Sequence, residues 1–299
     1  MIDLFLSLFN YFNSLFRVCS KVILQIPRAG AQIHNLFNIL EDRIIEFELK
    51  EAPMEKFSFP TLKNLKKLIL RDPHSIEFVQ HILTTSEDLR TLIFCNMPLI
   101  SFFVTGIKRS FKTINQIKEL EVGSYIGNKI LGDENDDKLQ LEYLKIFQDM
   151  DYCCDFTNIE RFLAKCKTLT NLDLSFINEK TVKIITETLV NLKSLTLSID
   201  KLFSLHSFKS YHHHNSSIEE LKLQCSPVEY LSLFFKLFPN LKVLRLKSAT
   251  ENELKTIFQN GKKLEKVYFK EDRERCLNFC KILMEENVEV TRNIQFLEG

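Results

Sequence analysis

The side chains best equipped for chemistry in this chain are few, and their spacing argues against most of what they would do. Cys276 and Cys280 stand four apart in a helical stretch, RERCLNFCKILMEEN from Arg273, and so share one helix face. A reactive or chelating pair needs a neighbour that lowers a thiol pKa, and neither a basic nor a histidine side chain is placed to do so; the pair is expected to fill core. His212, His213 and His214 are consecutive, so their side chains diverge, and no Cys or carboxylate accompanies them at metal-ligand spacing. The stretch GDENDDK from Gly132 sets Asp133, Asn135 and Asp137 in a calcium-loop rhythm. Lys138, however, stands where the turn glycine belongs and Leu144 where the bidentate glutamate belongs. Seven glycines in the whole chain make a phosphate-cradling loop hard to build, and no Ser, His and acid grouping emerges. The sequence therefore predicts no catalytic residue, no metal site and no cofactor. Asn215-Ser216-Ser217 is a glycosylation sequon by pattern alone.

The elements that must position any site come from a repeat. The pattern L-x-x-L-x-L and its variants reads LKKLIL from Leu65, LRTLIF from Leu89, IKELEV from Ile117, LEYLKI from Leu141 and LTNLDL from Leu169. It continues as LKSLTL from Leu192, IEELKL from Ile218, LKVLRL from Leu241 and LEKVYF from Leu264, with weaker copies IIEFEL from Ile44 and TRNIQF from Thr291. Successive copies are 21 to 28 residues apart, a leucine-rich-repeat period. The fourth and sixth positions alternate with polar residues, the period-2 mark of a half-buried strand. Between copies lie stretches of helical periodicity, such as SIEFVQHILTTSE from Ser75, NIERFLAKC from Asn158, EKTVKIITETLV from Glu179 and VEYLSLFFKLF from Val228. Each repeat is thus one strand and one return helix, and neither face is covered without stacked neighbours. The predicted fold is an α/β leucine-rich-repeat solenoid of about 10 to 11 repeats. Strands about 4.8 Å apart and helices about 8 to 10 Å apart would curve it into a horseshoe, parallel strands concave and helices convex. The Phe residues of the return helices, among them Phe162, Phe234 and Phe258, are read as core filling.

On such a ladder the informative positions are the outward ones, because they project from regularly spaced, rigid backbone. The fifth-position column runs Glu48, Ile69, Ile93, Glu121, Lys145, Asp173, Thr196, Lys222, Arg245, Tyr268 and Gln295. Towards its end Lys242, Lys247, Lys266 and Lys270 join Lys222 and Arg245, six cations against Glu219, Glu220 and Glu265, a local excess of 6 − 3 = +3. The candidate partner-binding residues are therefore Lys222, Lys242, Arg245, Lys247, Lys266, Tyr268 and Lys270. They would take an acidic or phosphorylated protein, with Tyr268 as the aromatic anchor. A second candidate is an apolar patch of Ile69, Ile93, Tyr143 and Phe147.

Composition is that of an ordinary globular chain: 299 residues, 45% hydrophobic, 26% charged, net charge +1. Near-neutrality gives no case for nucleic acid. No apolar run approaches the roughly 18 residues of a membrane span. MIDLFLSLFNYFNSLF lacks a basic n-region, since Asp3 stands there, and is interrupted by Asn10, Asn13 and Ser14, so it is not read as a signal peptide. Eight cysteines without framework spacing predict reduced thiols and a cytoplasmic or nuclear location. Two parts are expected, a helical N-terminal segment over residues 1–40 and the repeats over 41–299.

FLAKCKTLTNLDLS, from Phe162 to Ser175, resembles the cysteine-containing repeat of F-box/leucine-rich-repeat proteins, with Cys166 in the cysteine place. LFNYF from Leu8 and RVCSKV from Arg17 resemble two elements of an F-box. Only five residues separate Phe12 from Val18, and Val22 stands where Trp is usual. The F-box so read is shortened or degenerate. The resemblance implies a substrate-recognition subunit of a Skp-cullin-F-box ubiquitin ligase, with Leu8, Phe9, Tyr11, Phe12, Val18 and Cys19 as contacts to a Skp-type adaptor in a cullin complex. The alternative is a repeat scaffold without a ubiquitin link, in which residues 1–40 cap the first repeat.

Overall fold

The structure, a computed structural model, describes residues 21–25, 44–50, 61–71, 76–95, 116–131, 140–148, 156–175, 177–198, 213–224, 230–271, 273–286 and 295–298. They fall in two compact units, Met1–Ile117 and Lys118–Gly299. The first holds β1 (Lys21–Gln25), β2 (Glu46–Lys50), β3 (Lys67–Arg71), α1 (Ile76–Thr85) and β4 (Thr91–Cys95). Its strands are parallel, in sequence order.

The second unit opens with β5 (Glu119–Gly123), α2 (Ser124–Ile130), β6 (Tyr143–Phe147), α3 (Thr157–Lys165) and β7 (Asn171–Leu174). It continues through α4 (Glu179–Glu187), β8 (Ser194–Leu197), β9 (Glu220–Leu223), α5 (Leu231–Leu237) and β10 (Val243–Leu246). The last elements are α6 (Glu251–Asn260), β11 (Lys266–Phe269), α7 (Arg273–Glu286) and β12 (Gln295–Glu298). Its eight strands are again parallel and sequential. This is the α/β leucine-rich-repeat solenoid that the repeat predicts.

The hexapeptide explains the register. Its fourth and sixth positions, Leu172 and Leu174 for example, align with Leu195 and Leu197 on the next strand, and all four are buried. Each such leucine withdrawn from water contributes roughly 1.5 to 3 kcal/mol. Before the strands the backbone makes a recurring forked bond: the second and third N–H groups of one hexapeptide both donate to the second carbonyl of the preceding one. Thr170 and Asn171 donate to Glu142, Lys193 and Ser194 to Thr170, and Glu219 and Glu220 to Lys193. Side chains just ahead of the hexapeptide extend this stitching, Asn191 Nδ2 donating to the Lys167 carbonyl at 2.8 Å and Asn240 Nδ2 to that of Ser216 at 2.7 Å. The asparagines that join repeats therefore stand before the strand.

Helix ends are satisfied partly by neighbouring repeats. Asn178 caps α4 by accepting from Thr181 N–H at 2.8 Å, and its Nδ2 donates to Glu160 on α3 at 2.8 Å. The start of α3 is capped by Asn128 of α2, whose Oδ1 accepts from the N–H groups of Asn158 and Ile159. Thr250 and Glu253 form a reciprocal capping box on α6.

Three local expectations change. Inside the segment 1–40 read as helical, Lys21–Gln25 is a strand, with Val22 opposite Phe47 and Leu24 opposite Leu49. That register makes CSKVIL from Cys19 an additional copy of the hexapeptide, 44 − 19 = 25 residues before Ile44, and polar Ser20 and Lys21 hide it. At the other end Val267 pairs with Phe296 and Tyr268 with Leu297. The last copy is therefore NIQFLE from Asn293, and Leu297 replaces Gln295 in the fifth-position column. The short helix α2 also went unread, because it follows β5 directly and contains Gly127. A Cβ there would lie 3.2 Å from Val122 Cγ1, so glycine admits the close turn from strand to helix. Of the phenylalanines read as core, Phe162, Phe234 and Phe258 are buried, and the rings of Phe234 and Phe238 stack at 6.0 Å.

Candidate functional site

The open face of the sheet carries the third and fifth hexapeptide positions, and between β9 and β11 it forms a cavity of about 520 Å³. Lys222 on β9, Arg245 on β10 and Tyr268 on β11 are in register, one beside the next, so neighbouring backbone positions are about 4.8 Å apart. Lys247 and Lys270, each just past the end of its strand, complete the basic lining, with Gln224 and Glu271 beside them. Five of the seven sequence-predicted partner residues thus converge: Lys222, Arg245, Lys247, Tyr268 and Lys270.

Arg245 is held from two sides. Its Nε donates to Glu220 Oε1 at 2.5 Å, and its guanidinium carbon lies 4.1 Å from the Tyr268 ring centroid. A planar cation pinned by a carboxylate and stacked on an aromatic face has lost its rotamer freedom before any ligand arrives. Lys247 reaches Glu271 at 3.4 Å. Among the described residues Lys222 and Lys270 are exposed and make no ion pair.

The remaining two predicted residues stand apart from the cavity. Lys242 lies ahead of β10 and pairs with Glu219 at 3.2 Å, which also has Lys193 at 3.7 Å; the bond from Lys242 holds the Glu219 carboxyl below its usual range. Lys266 begins β11 in the row of Val243 and Gln295, outside the cavity lining. Sequence reasoning missed Gln224 and Glu271. Their signal was position, since both lie immediately beyond a strand, next to the ends that carry Lys247 and Lys270.

Further along the same column the chemistry differs. Lys145 on β6 reaches Glu121 on β5 at 3.1 Å, and Asp173 on β7 follows in register. Burial raises the Asp173 carboxyl pKa against the opposing pull of Lys145 and Lys222. Burial and the neighbouring Glu121 push the Tyr143 hydroxyl well above the ordinary phenol value. The second candidate patch divides between the two units: Ile69 is buried and in register with Ile93, while Tyr143 and Phe147 lie on β6.

Of the remaining motifs, the cysteines and the sequon resolve as packing. Burial pushes the Cys280 thiol up to about 12 and that of Cys166 up to about 11, which suppresses the thiolate that chelation or redox chemistry needs. Asn215 is 4% exposed, and its Nδ2 donates to the carbonyls of Ile185 and Leu189 at 2.7 and 2.8 Å. The sequon amide is thus consumed in closing the C-terminal end of α4. His213 and His214 are exposed, His213 lying 3.5 Å from Glu187. Among the described residues no group of three or more His, Cys, Asp or Glu is arranged to hold a metal, and no helix is long and apolar enough to cross a membrane. Asp133, Asn135, Asp137, Leu8, Phe9, Tyr11, Phe12, Val18 and Cys19 lie outside the described residues.

The fold and the register are those of a leucine-rich-repeat solenoid. Among solved structures it is similar to the leucine-rich repeat-containing protein LegL7 from Legionella pneumophila, with a TM-score of 0.55 and 12% identity over 90% of this chain and 98% of that one. At that identity the likeness is one of fold. No protein-family model and no curated protein matches the chain.

Proposed function

We propose that this chain is a non-catalytic protein-interaction module whose docking surface is the open face of β9 to β11, and that its partner presents an acidic segment there. The convergence of Lys222, Arg245, Lys247, Tyr268 and Lys270 around one cavity carries the reading. Repeat ladders display side chains on rigid, evenly spaced backbone, and here Arg245 is already fixed by Glu220 and Tyr268. The test is charge reversal in the full chain: Lys222→Glu with Lys270→Glu abolishes partner recovery on an unchanged fold. Unaltered recovery removes the reading.

The finer role has two forms. In the first the chain is the substrate receptor of a Skp-cullin-F-box ubiquitin ligase, working in the cytoplasm or nucleus, with adaptor contacts on Leu8, Phe9, Tyr11, Phe12, Val18 and Cys19. The resemblance of LFNYF to an F-box element supports it. In the second the chain is a scaffold without a ubiquitin link. The register of β1 favours this form, because it puts Val22, the place of the usual F-box Trp, opposite Phe47. An adaptor pulldown with the full chain and with its Leu8→Asp, Phe12→Asp variant decides between them. Binding of a Skp-type adaptor that the variant loses establishes the receptor; no binding by either leaves the scaffold.

A further inference from the structure

Resting on the docking surface just described, we infer that the β9 to β11 cavity is a phosphate subsite: it takes a phosphorylated serine or threonine side chain of the partner in preference to a glutamate or aspartate. The argument is one of charge matching. Four cations line the cavity, Lys222, Arg245, Lys247 and Lys270. Two carboxylates are spent on them, Glu220 on Arg245 and Glu271 on Lys247. The remainder is 4 − 2 = +2. Asp173, two strands away on β7 and outside the lining, divides its influence between Lys145 and Lys222. A phosphomonoester carries about −1.5 to −2 at pH 7 and three strong acceptor oxygens, whereas a carboxylate carries −1 and leaves a cation unanswered.

Donor geometry points the same way. Glu220 occupies the Nε side of Arg245 and Tyr268 one face of its plane, leaving the terminal amino groups as a fork suited to two oxygens of one phosphate. Lys222 sits on β9 and Lys270 just past the end of β11, the strands on either side of β10, so they approach a shared anion from opposite sides of Arg245. Lysine is well suited to this as a compact, mobile charge. Gln224 adds a neutral donor at the rim.

The experiment compares two degenerate peptide arrays with identical flanks, one centred on phosphoserine and one on glutamate, probed with the full chain from pH 5.0 to 7.5. The phosphoserine array is expected to bind at least about tenfold more tightly at pH 7.5. Its advantage should shrink below about pH 6, where the second phosphate proton returns. Lys222→Ala with Lys270→Ala removes the preference, and an unchanged melting temperature separates this from unfolding. Equal binding to both arrays, lost on charge reversal, overturns the phosphate subsite and leaves the docking surface standing. Binding to neither array overturns both, as does binding only to vesicles containing phosphoinositides.

Discussion

Two stretches of the same open face carry charge in opposite ways. From β5 to β7 the fifth-position column reads Glu121, Lys145, Asp173, and acids and base face one another: Lys145 lies 3.1 Å from Glu121, and Asp173 feels Lys145 and, more weakly, Lys222. From β9 to β11 the column reads Lys222, Arg245, Tyr268, and cations are left over. Backbone, register and leucine core are the same in both. On the docking surface proposed above, recognition would reside in the outward side chains that lack an internal answer, and the ion-paired ladder would have no need of a partner.

The largest effect expected from breaking this contrast is on binding. Lys222→Glu with Lys270→Glu should weaken docking of an acidic peptide by about a hundredfold or more while thermal denaturation stays within a few degrees, as calorimetric titration and a melting curve would show. Lys145→Glu is its counterpart, lowering stability through repulsion of Glu121 and Asp173 but leaving peptide affinity unchanged. Equal losses of affinity from both ends would dissolve the distinction.

Between the two stretches in sequence, Asn215 closes the C-terminal end of α4 and, through its own N–H, bonds the Leu237 carbonyl of α5 at 2.7 Å. Asn215→Ala strands buried carbonyls and should cost about 1 to 3 kcal/mol, read by urea denaturation. Gly261→Ala is expected to cost about 1 to 3 kcal/mol as well, since a Cβ would stand 2.7 Å from the Ile257 carbonyl oxygen and 2.6 Å from Leu264 Cδ1. Denaturation at the level of the wild type would mean that the turn after α6 relaxes freely.

A smaller effect sharpens the contrast through pH. The Asp173 carboxyl has a raised pKa in the folded chain, chiefly from burial. The folded state thus holds its proton more tightly than the unfolded chain, so stability contributed by Asp173 is present at low pH and falls as pH rises from the ordinary carboxylate value through the raised one. Asp173→Asn should therefore raise the melting temperature slightly at pH 7 and leave it unchanged near pH 3. A lower melting temperature at pH 7 would mean that its attraction to Lys145 outweighs its burial. The smallest effect belongs to Lys242→Ala, a half-buried partner of Glu219, which should change neither affinity nor stability by more than a few tenths of a kcal/mol.

Strand spacing, the placement of every described helix but α2, and the leucine core were legible in the sequence because the hexapeptide alternates strictly where one face is buried, and a slip of one residue would turn every leucine to water. At the edges that pressure weakens. Polar Ser20 and Lys21 concealed β1, and NIQFLE offers Phe296 but then Glu298 where an apolar residue is usual, so two registers read equally well until Tyr268 is seen opposite Leu297. The site was legible as a list of cations, because its members recur at fixed offsets on successive strands.

Away from the two end strands, sequence alone thus determined the repeat, its parallel order and which side chains alternate to the open face, since period-2 burial leaves them no other direction. Only tertiary structure decided which of those side chains line one cavity. Lys242 and Lys270 are equivalent as residue types, yet one is paired with a glutamate of the preceding repeat while the other lines a cavity with charge to spare. Pairing of that kind depends on side chains brought together across strands 20 or more residues apart in sequence, and a repeat pattern specifies where each begins without specifying whom it meets.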